Sequence, residues 1–367
     1  MFQKALLVGL VLAAVAGSLS CGTTANHYVY ATLSTANQLG AYREDPNSGV
    51  LTQLDGSPYA VGDGDRSIVI HPSGQFAYVA NPGEGANGEN DISLFDIASD
   101  GGLTEVFPRT PLGTSASVPQ LLVMDPGGAY LYVMNTGSEN ISVFAIASGT
   151  GILSEVSNSP FPVGSVLLDM QVNPSGNLLY VSSVGTNLTG EIIGFSVNAG
   201  QLSIIGETPS DGVNPQAMVT DPKGAYLYVA NTSSNSIAIF AIGSTGGLTA
   251  VAGSPINDGY SAPLYMVFDA SGNYIYVANE GSANIAVFAI DSSTGLPAAL
   301  TTSTATNAFG TNPGPSYLAV DPNGSYLFLG NESSTSDIQS FSISSGSLTI
   351  LTNYNVGNTA TSIGVVQ

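Results

Sequence analysis

Positive charge is nearly absent from this chain. Against 26 Asp and Glu there are five Lys and Arg, and the formal net charge is −21. Such a surface repels nucleic acid and anionic membrane, which excludes both as direct partners. It also disfavours anionic substrates unless a local cation cluster overrides it. Histidine is limited to His27 and His71, and cysteine to Cys21. A single thiol forbids an internal disulfide, so stability must come from packing. Beyond the first residues there is no apolar run long enough for a transmembrane helix.

The start of the chain reads as an export signal. Lys4 supplies a positive end, and Ala5 to Ala16 is an apolar run too short to span a bilayer. Ser18-Leu-Ser-Cys21 then resembles a bacterial lipobox, with Cys21 where a lipid would be attached and Ser18 in place of the usual Leu. Ala14-Val-Ala16 offers ordinary signal cleavage as the alternative, which would leave the protein secreted. The expected organisation is a signal over residues 1–20, a tether over 21–26 and one domain over 27–367. The expected location is extracytoplasmic, in the periplasm or at the cell surface, with membrane contact only through the lipid.

What the sequence has in quantity is repetition. Asp221-Pro-Lys-Gly-Ala-Tyr-Leu-Tyr-Val-Ala-Asn231 joins a turn to a short Tyr/Val-rich run, and Ile237 to Ile242 forms a second run after a polar bend. The turn prolines recur at Pro72, Pro126, Pro174, Pro222 and Pro322, with Asp269-Ala-Ser-Gly272 standing in once; successive spacings are 54, 48, 48, 48 and 52 residues. Tyr78, Tyr132, Tyr180, Tyr228, Tyr276 and Phe328 share one position after these turns. Periods of this size with four short strands each are propeller blades. Six units begin near Ser67, Gln120, Leu168, Gln216, Leu264 and Ser316. Three strands from Tyr28 to Leu54 and one from Ser362 to Gln367 supply a seventh. The expectation is an all-β, seven-bladed propeller of four-stranded antiparallel blades, closed by a composite blade from both termini. Because the tyrosines and Asp-Pro turns recur in nearly every blade, they build blades rather than a site.

The motif Asp-Pro-x-Gly-x-Tyr-Leu-Tyr-Val-Ala-Asn, followed by Ile-x-Val-Phe-x-Ile, Gly-x-Leu-Thr and Gly-Ser-Pro, resembles the lactonase-type seven-bladed propellers. This group includes 6-phosphogluconolactonase-like proteins and shades into the YVTN-repeat surface propellers. The complete absence of tryptophan argues against Trp-Asp-repeat and quinoprotein blades. The resemblance implies lactone hydrolysis, with His, Arg and Glu at the starts of inner strands facing the channel. Aligning the turns puts Arg66, Gln120, Leu168, Gln216, Leu264, Ser316 and Ser362 in that ring. Arg66 is its only cation, and no histidine falls there.

The catalytic candidates are therefore Arg66, Asp63 and Asp65, in the run Asp63-Gly-Asp65-Arg66, where a carboxylate could position a water and the guanidinium could polarise a carbonyl. Gln120, Gln216 and Ser316 are the substrate-binding candidates, and Cys21 is the lipidation candidate. No cofactor is required. Calcium is the one metal considered, for the acidic loop Glu84 to Asp91, whose spacing is not that of an EF-hand. Two functions remain open: hydrolysis of a sugar or other lactone, with genuine 6-phosphogluconolactonase activity doubtful for so acidic a chain, or non-catalytic binding of a glycan or protein partner at the cell surface. A monomer is expected in either case.

Overall fold

A computed structural model describes residues 26–33, 35–64, 66–83, 90–185, 189–257, 259–300, 308–331, 338–356 and 359–366. The expected signal, Cys21, Asp65 and residues 84–89 of the acidic loop lie outside the described residues. Among those described, no helix is long and apolar enough to cross a membrane.

Seven antiparallel sheets follow one another around the chain. Blade 1 is composite: His27–Leu33, Gln38–Glu44 and Leu51–Gln53 are its second, third and outer strands, and Ala360–Val366 is its inner strand. Blades 2 to 7 each run outward in chain order, with inner strands Ser67–Ile70, Pro119–Met124, Val166–Val172, Pro215–Thr220, Pro263–Phe268 and Pro315–Val320. Closure is chemical as well as topological. The Tyr317 hydroxyl of blade 7 donates to the Ile363 carbonyl across 3.1 Å, and on the other side the Ile68 N–H of blade 2 donates to Ser362 Oγ across 3.3 Å. The terminal strand thereby pairs with His27–Leu33 in its own sheet and is tied to the blades on both sides, which closes the ring.

The recurring aromatic position makes the joints between blades. Tyr30, Tyr78, Tyr132, Tyr180, Tyr228, Tyr276 and Phe328 are all fully buried. The hydroxyls of Tyr30, Tyr78, Tyr180 and Tyr228 donate to the carbonyls of Gly101, Gly151, Gly246 and Gly295, each in the turn between third and outer strands of the next blade. Each ring fills the space between two sheets while its polar tip satisfies a turn carbonyl. The scaffold reading of these residues holds.

The outer strands differ from a simple four-strand scheme. In blades 2, 4 and 7 they are continuous, over Leu103–Pro111, Gln201–Pro209 and Ser347–Tyr354. In blades 1, 3 and 5 a Ser-Pro break interrupts them, and the chain then pairs again with the third strand. Ser57, Ser159 and Ser254 accept the N–H groups of Ala41, Val143 and Ile239 at 2.8, 3.0 and 2.8 Å, filling ladder positions that the break would leave open.

Candidate functional site

Inner strands start on the face that carries the connections between blades, and the Asp-Pro turns lie on the opposite face. At the first face five of the seven second strands end in asparagine; those of blades 1 and 4 end at Leu33 and Val184. Asn81, Asn135, Asn231, Asn279 and Asn331 are fully buried. Asn81 Nδ2 donates to Asp91 Oδ1 at 2.6 Å and Ser93 Oγ at 3.0 Å, and Asn135 Nδ2 donates to Asn140 Oδ1 and Ser142 Oγ, both at 2.9 Å. A left-handed backbone is one sequence-level reason for asparagine at this point. Asn231 instead has φ −90° and ψ 85°, so its side-chain amide is what the position uses.

The pairing corrects the channel-mouth ring by one residue. Tyr78 opposes Val69, and Tyr30 opposes Gly364, so Arg66 corresponds to Thr361 rather than Ser362. Ser362 matches Ser67, and a one-residue shift in a strand moves a side chain to the other sheet face. Ser67 Oγ accepts the Leu122 N–H at 3.1 Å, just as Ser362 Oγ accepts that of Ile68. Asp169 takes the same place in blade 4; its carboxylate accepts the Met170 N–H and, across the blade boundary, the Met218 N–H. Tyr265 and Tyr317 occupy that place in blades 6 and 7, stacked with centroids 4.9 Å apart. This deeper ring stitches inner strands together. Asp169 escaped the sequence reading, although a lone Asp in the apolar run Leu167 to Val172 was a usable signal.

Of the catalytic candidates, Arg66 and Asp63 fall within the described residues. Arg66 lies immediately before the inner strand of blade 2, with its N–H donating to the Ala80 carbonyl at 3.1 Å. It is 9% exposed, whereas Arg43 and Lys223 are exposed and Arg109 is engaged by Glu105 at 2.7 Å. Among the described cations, Arg66 alone is buried. Asp63 is exposed, three residues before it. Asn37 of blade 1 clamps this turn, donating through Nδ2 to Asp63 Oδ1 at 3.0 Å and accepting the Gly64 N–H at 2.9 Å.

The binding candidates differ in what they leave available. Gln120 is half-buried. Gln216 is buried; its Nε2 donates to Asn214 Oδ1 at 2.6 Å, while its Oε1 has no donor from the protein. Ser316 is buried and donates to the Gly330 carbonyl at 3.2 Å, so its proton is already used. At the described end of the acidic loop, Asn90 Oδ1 accepts the Val118 N–H and Asp91 accepts from Asn81, both within the protein. His71 lies at the turn face, between Ser73 Oγ at 2.7 Å and the Gly128 carbonyl at 3.0 Å. A cleft of about 380 Å³ on that face is lined by Tyr28, Gln75, Ser99 and Val366 and has no acid or base suited to hydrolysis.

With the closed seven-blade sheet order established and Arg66 at the start of an inner strand, comparison with known proteins decides the family. A family model described as lactonase, 7-bladed beta-propeller, matches residues 23–168, 166–259 and 235–310. The chain belongs to this lactonase family. A 6-phosphogluconolactonase of Formosa agariphila is 34% identical over 128 residues, which cover 34% of this chain and 36% of the relative. The chain thus aligns with only about a third of that protein's length. Among solved structures, a protein from Lactobacillus plantarum superposes with a TM-score of 0.76 at 19% identity, covering 93% of this chain and 99% of the other. The periplasmic gluconolactonase of Pseudomonas aeruginosa gives a TM-score of 0.73 at 18% identity over 93% and 99%. At these identities the structural likeness speaks for the fold alone. The lactonase-family assignment rests on the family model.

Proposed function

We propose that this lactonase-family propeller hydrolyses a neutral lactone, with a sugar lactone as the favoured class, at the channel mouth around Arg66. The observation that carries the reading is a buried guanidinium at the start of an inner strand, where Arg43 and Lys223 are exposed at the surface. A carbonyl placed on Arg66 gains charge stabilisation as its oxygen becomes an oxyanion. Asp63 or Asp65 accepts a proton from water, the water oxygen bonds to the carbonyl carbon, the ring C–O bond breaks and the ring oxygen takes up a proton. Gln120 and Gln216 hold hydroxyls, with Gln216 Oε1 as an open acceptor, and Ser316 forms part of the wall. The net charge of −21 turns the reading away from phosphorylated lactones. The names of the Formosa relative and of the Pseudomonas neighbour lend support to lactone chemistry.

The proposal includes export and a lipid anchor on Cys21, motivated by the residues from Lys4 to Cys21. A non-catalytic propeller that binds a surface glycan or protein is the second reading. It is favoured by Leu168 and Leu264 in the ring and by the placement of both histidines at the other face. Turnover of lactones by the wild type and by Arg66→Ala separates the two.

A further inference from the structure

The seven blades provide an internal comparison, and one position departs from it. The third strand ends its pairing with Ile97, Ile146, Val197, Ile242, Ile290 and Ile343 in blades 2 to 7, each donating its N–H to the residue that precedes the second strand's ladder. In blade 1 the matching residue is Glu44, opposite His27. Six blades put a branched aliphatic there; the seventh puts a carboxylate, and that carboxylate is fully buried. No hydrogen bond of ordinary geometry reaches either oxygen of Glu44 or His27 Nδ1; the contacts between them are at ion-pair distance only. A buried ionisable group left this way costs several kcal/mol unless a cation or proton compensates it.

The groups facing it come from two blades. His27 is 1% exposed, and its Nδ1 lies 3.5 Å from Glu44 Oε2 and 3.8 Å from Asp321 Oδ2, the turn aspartate of blade 7. These separations exceed the roughly 2.7–2.9 Å of a charge-assisted hydrogen bond. They suit donors that share an ion instead: two ligands about 2.0–2.1 Å from a tetrahedral centre stand roughly 3.4 Å apart. One nitrogen and two carboxylate oxygens lie within 4.8 Å of one another, and among the described residues no other such group of three is found. Asp321 Oδ1 is already fixed by the N–H groups of Ser325 and Tyr326, both at 2.6 Å, and Oδ2 accepts only the Asn323 N–H at 3.1 Å. The Asn323 side-chain amide lies 3.2 Å from His27 Nε2. The atom facing the ring is Nδ2; turning the amide over puts Oδ1 there to accept the Nε2 proton, which leaves the Nδ1 lone pair for an ion, the usual outer support of a metal-bound histidine. Asp45 and Tyr326 are the remaining titratable groups close to the carboxylates.

We propose that His27, Glu44 and Asp321 form a structural site for a divalent transition-metal ion of the zinc class, which clasps the first strand of composite blade 1 to blade 7. The imidazole nitrogen selects against calcium and magnesium, which prefer all-oxygen shells. A fourth ligand would be water. The clasp lies on the turn face, away from Arg66, and is independent of any hydrolysis there.

The test uses the full chain, stripped with chelator and then given zinc, calcium or magnesium separately. Elemental analysis after gel filtration should find about one zinc per chain. Zinc should raise Tm by about 3 °C or more and chelator should reverse the gain. Glu44→Ile installs the residue type that the other blades carry, and His27→Gln installs the one at the matching place in blade 2. Both should fold, bind no zinc and show a Tm that ignores zinc and chelator. The proposal fails if the wild type retains only a small fraction of one zinc with no Tm response, if calcium or magnesium binds there in its place, or if both variants keep the metal.

Discussion

The Tyr228 hydroxyl in blade 5 donates to the Gly295 carbonyl in blade 6 across 2.6 Å, and both groups are sealed from water. The bond joins two sheets that share no ladder hydrogen bond, so its loss weakens an interface rather than a strand. Tyr228→Phe should lower stability by about 1–2 kcal/mol, because the turn carbonyl is left without a donor. Denaturant titration of the two proteins measures this. An unchanged midpoint would show that water replaces the hydroxyl.

Alkaline pH should attack all these joints together. Burial pushes the Tyr180 phenol up to about 12, and burial pushes Tyr30, Tyr78, Tyr132, Tyr228 and Tyr276 higher still. Unfolded tyrosine loses its proton near pH 10. Above that value the unfolded state binds fewer protons than the folded one, so stability falls as pH rises and is fully present below it. Circular dichroism and tyrosinate absorbance should change in one cooperative step above pH 10. Gradual ionisation with the sheet signal intact would contradict this account.

The repeat made the fold legible, since Tyr78 to Tyr276 mark the blades almost at equal spacing and the Asp-Pro turns fix where each inner strand ends. The composite blade was harder. No turn follows Ser362 in the chain, so its register could only be counted, and it slipped by one residue against Thr361. The clasp stayed hidden for a different reason. Glu44 and Asp321 are 277 positions apart in the chain, and closure of the ring alone brings them together. The signal lay in the internal alignment, where Glu44 takes the place of Ile242 and its counterparts. Sequence also could not show that the Ser316 hydroxyl is taken by the Gly330 carbonyl, or that Arg66 is buried.

Removal of residues 360–367 should open the ring. The composite blade would lose its inner strand, together with the Tyr317 to Ile363 and Ile68 to Ser362 bonds, exposing the paired edge of His27–Leu33. The truncated chain should elute as aggregate, or melt at least 10 °C or so below the full one, which size-exclusion chromatography and calorimetry report. A monomer with unchanged Tm would mean that the terminal strand is dispensable.

Gly101 accepts the Tyr30 hydroxyl at φ +82°, and a Cβ there would run into the Tyr28 ring. Gly101→Ala combines left-handed strain with a clash between blades 1 and 2, and should cost about 2–4 kcal/mol. Gly149→Ala, also at positive φ but with open space around the added carbon, should cost only the backbone part, about 1–2 kcal/mol. Equal losses in denaturant titrations would remove the packing component of the argument.

The most direct measurement is hydrolysis of a panel of neutral sugar lactones and aliphatic lactones by the wild type beside Arg66→Ala, with circular dichroism confirming that both are folded. The account predicts turnover of at least one neutral sugar lactone and a fall in kcat of about 100-fold or more in the variant, the usual cost of removing a group that stabilises an oxyanion. Hydrolysis no faster than the uncatalysed rate on every lactone, or equal turnover by the two proteins, would contradict it and leave a binding propeller.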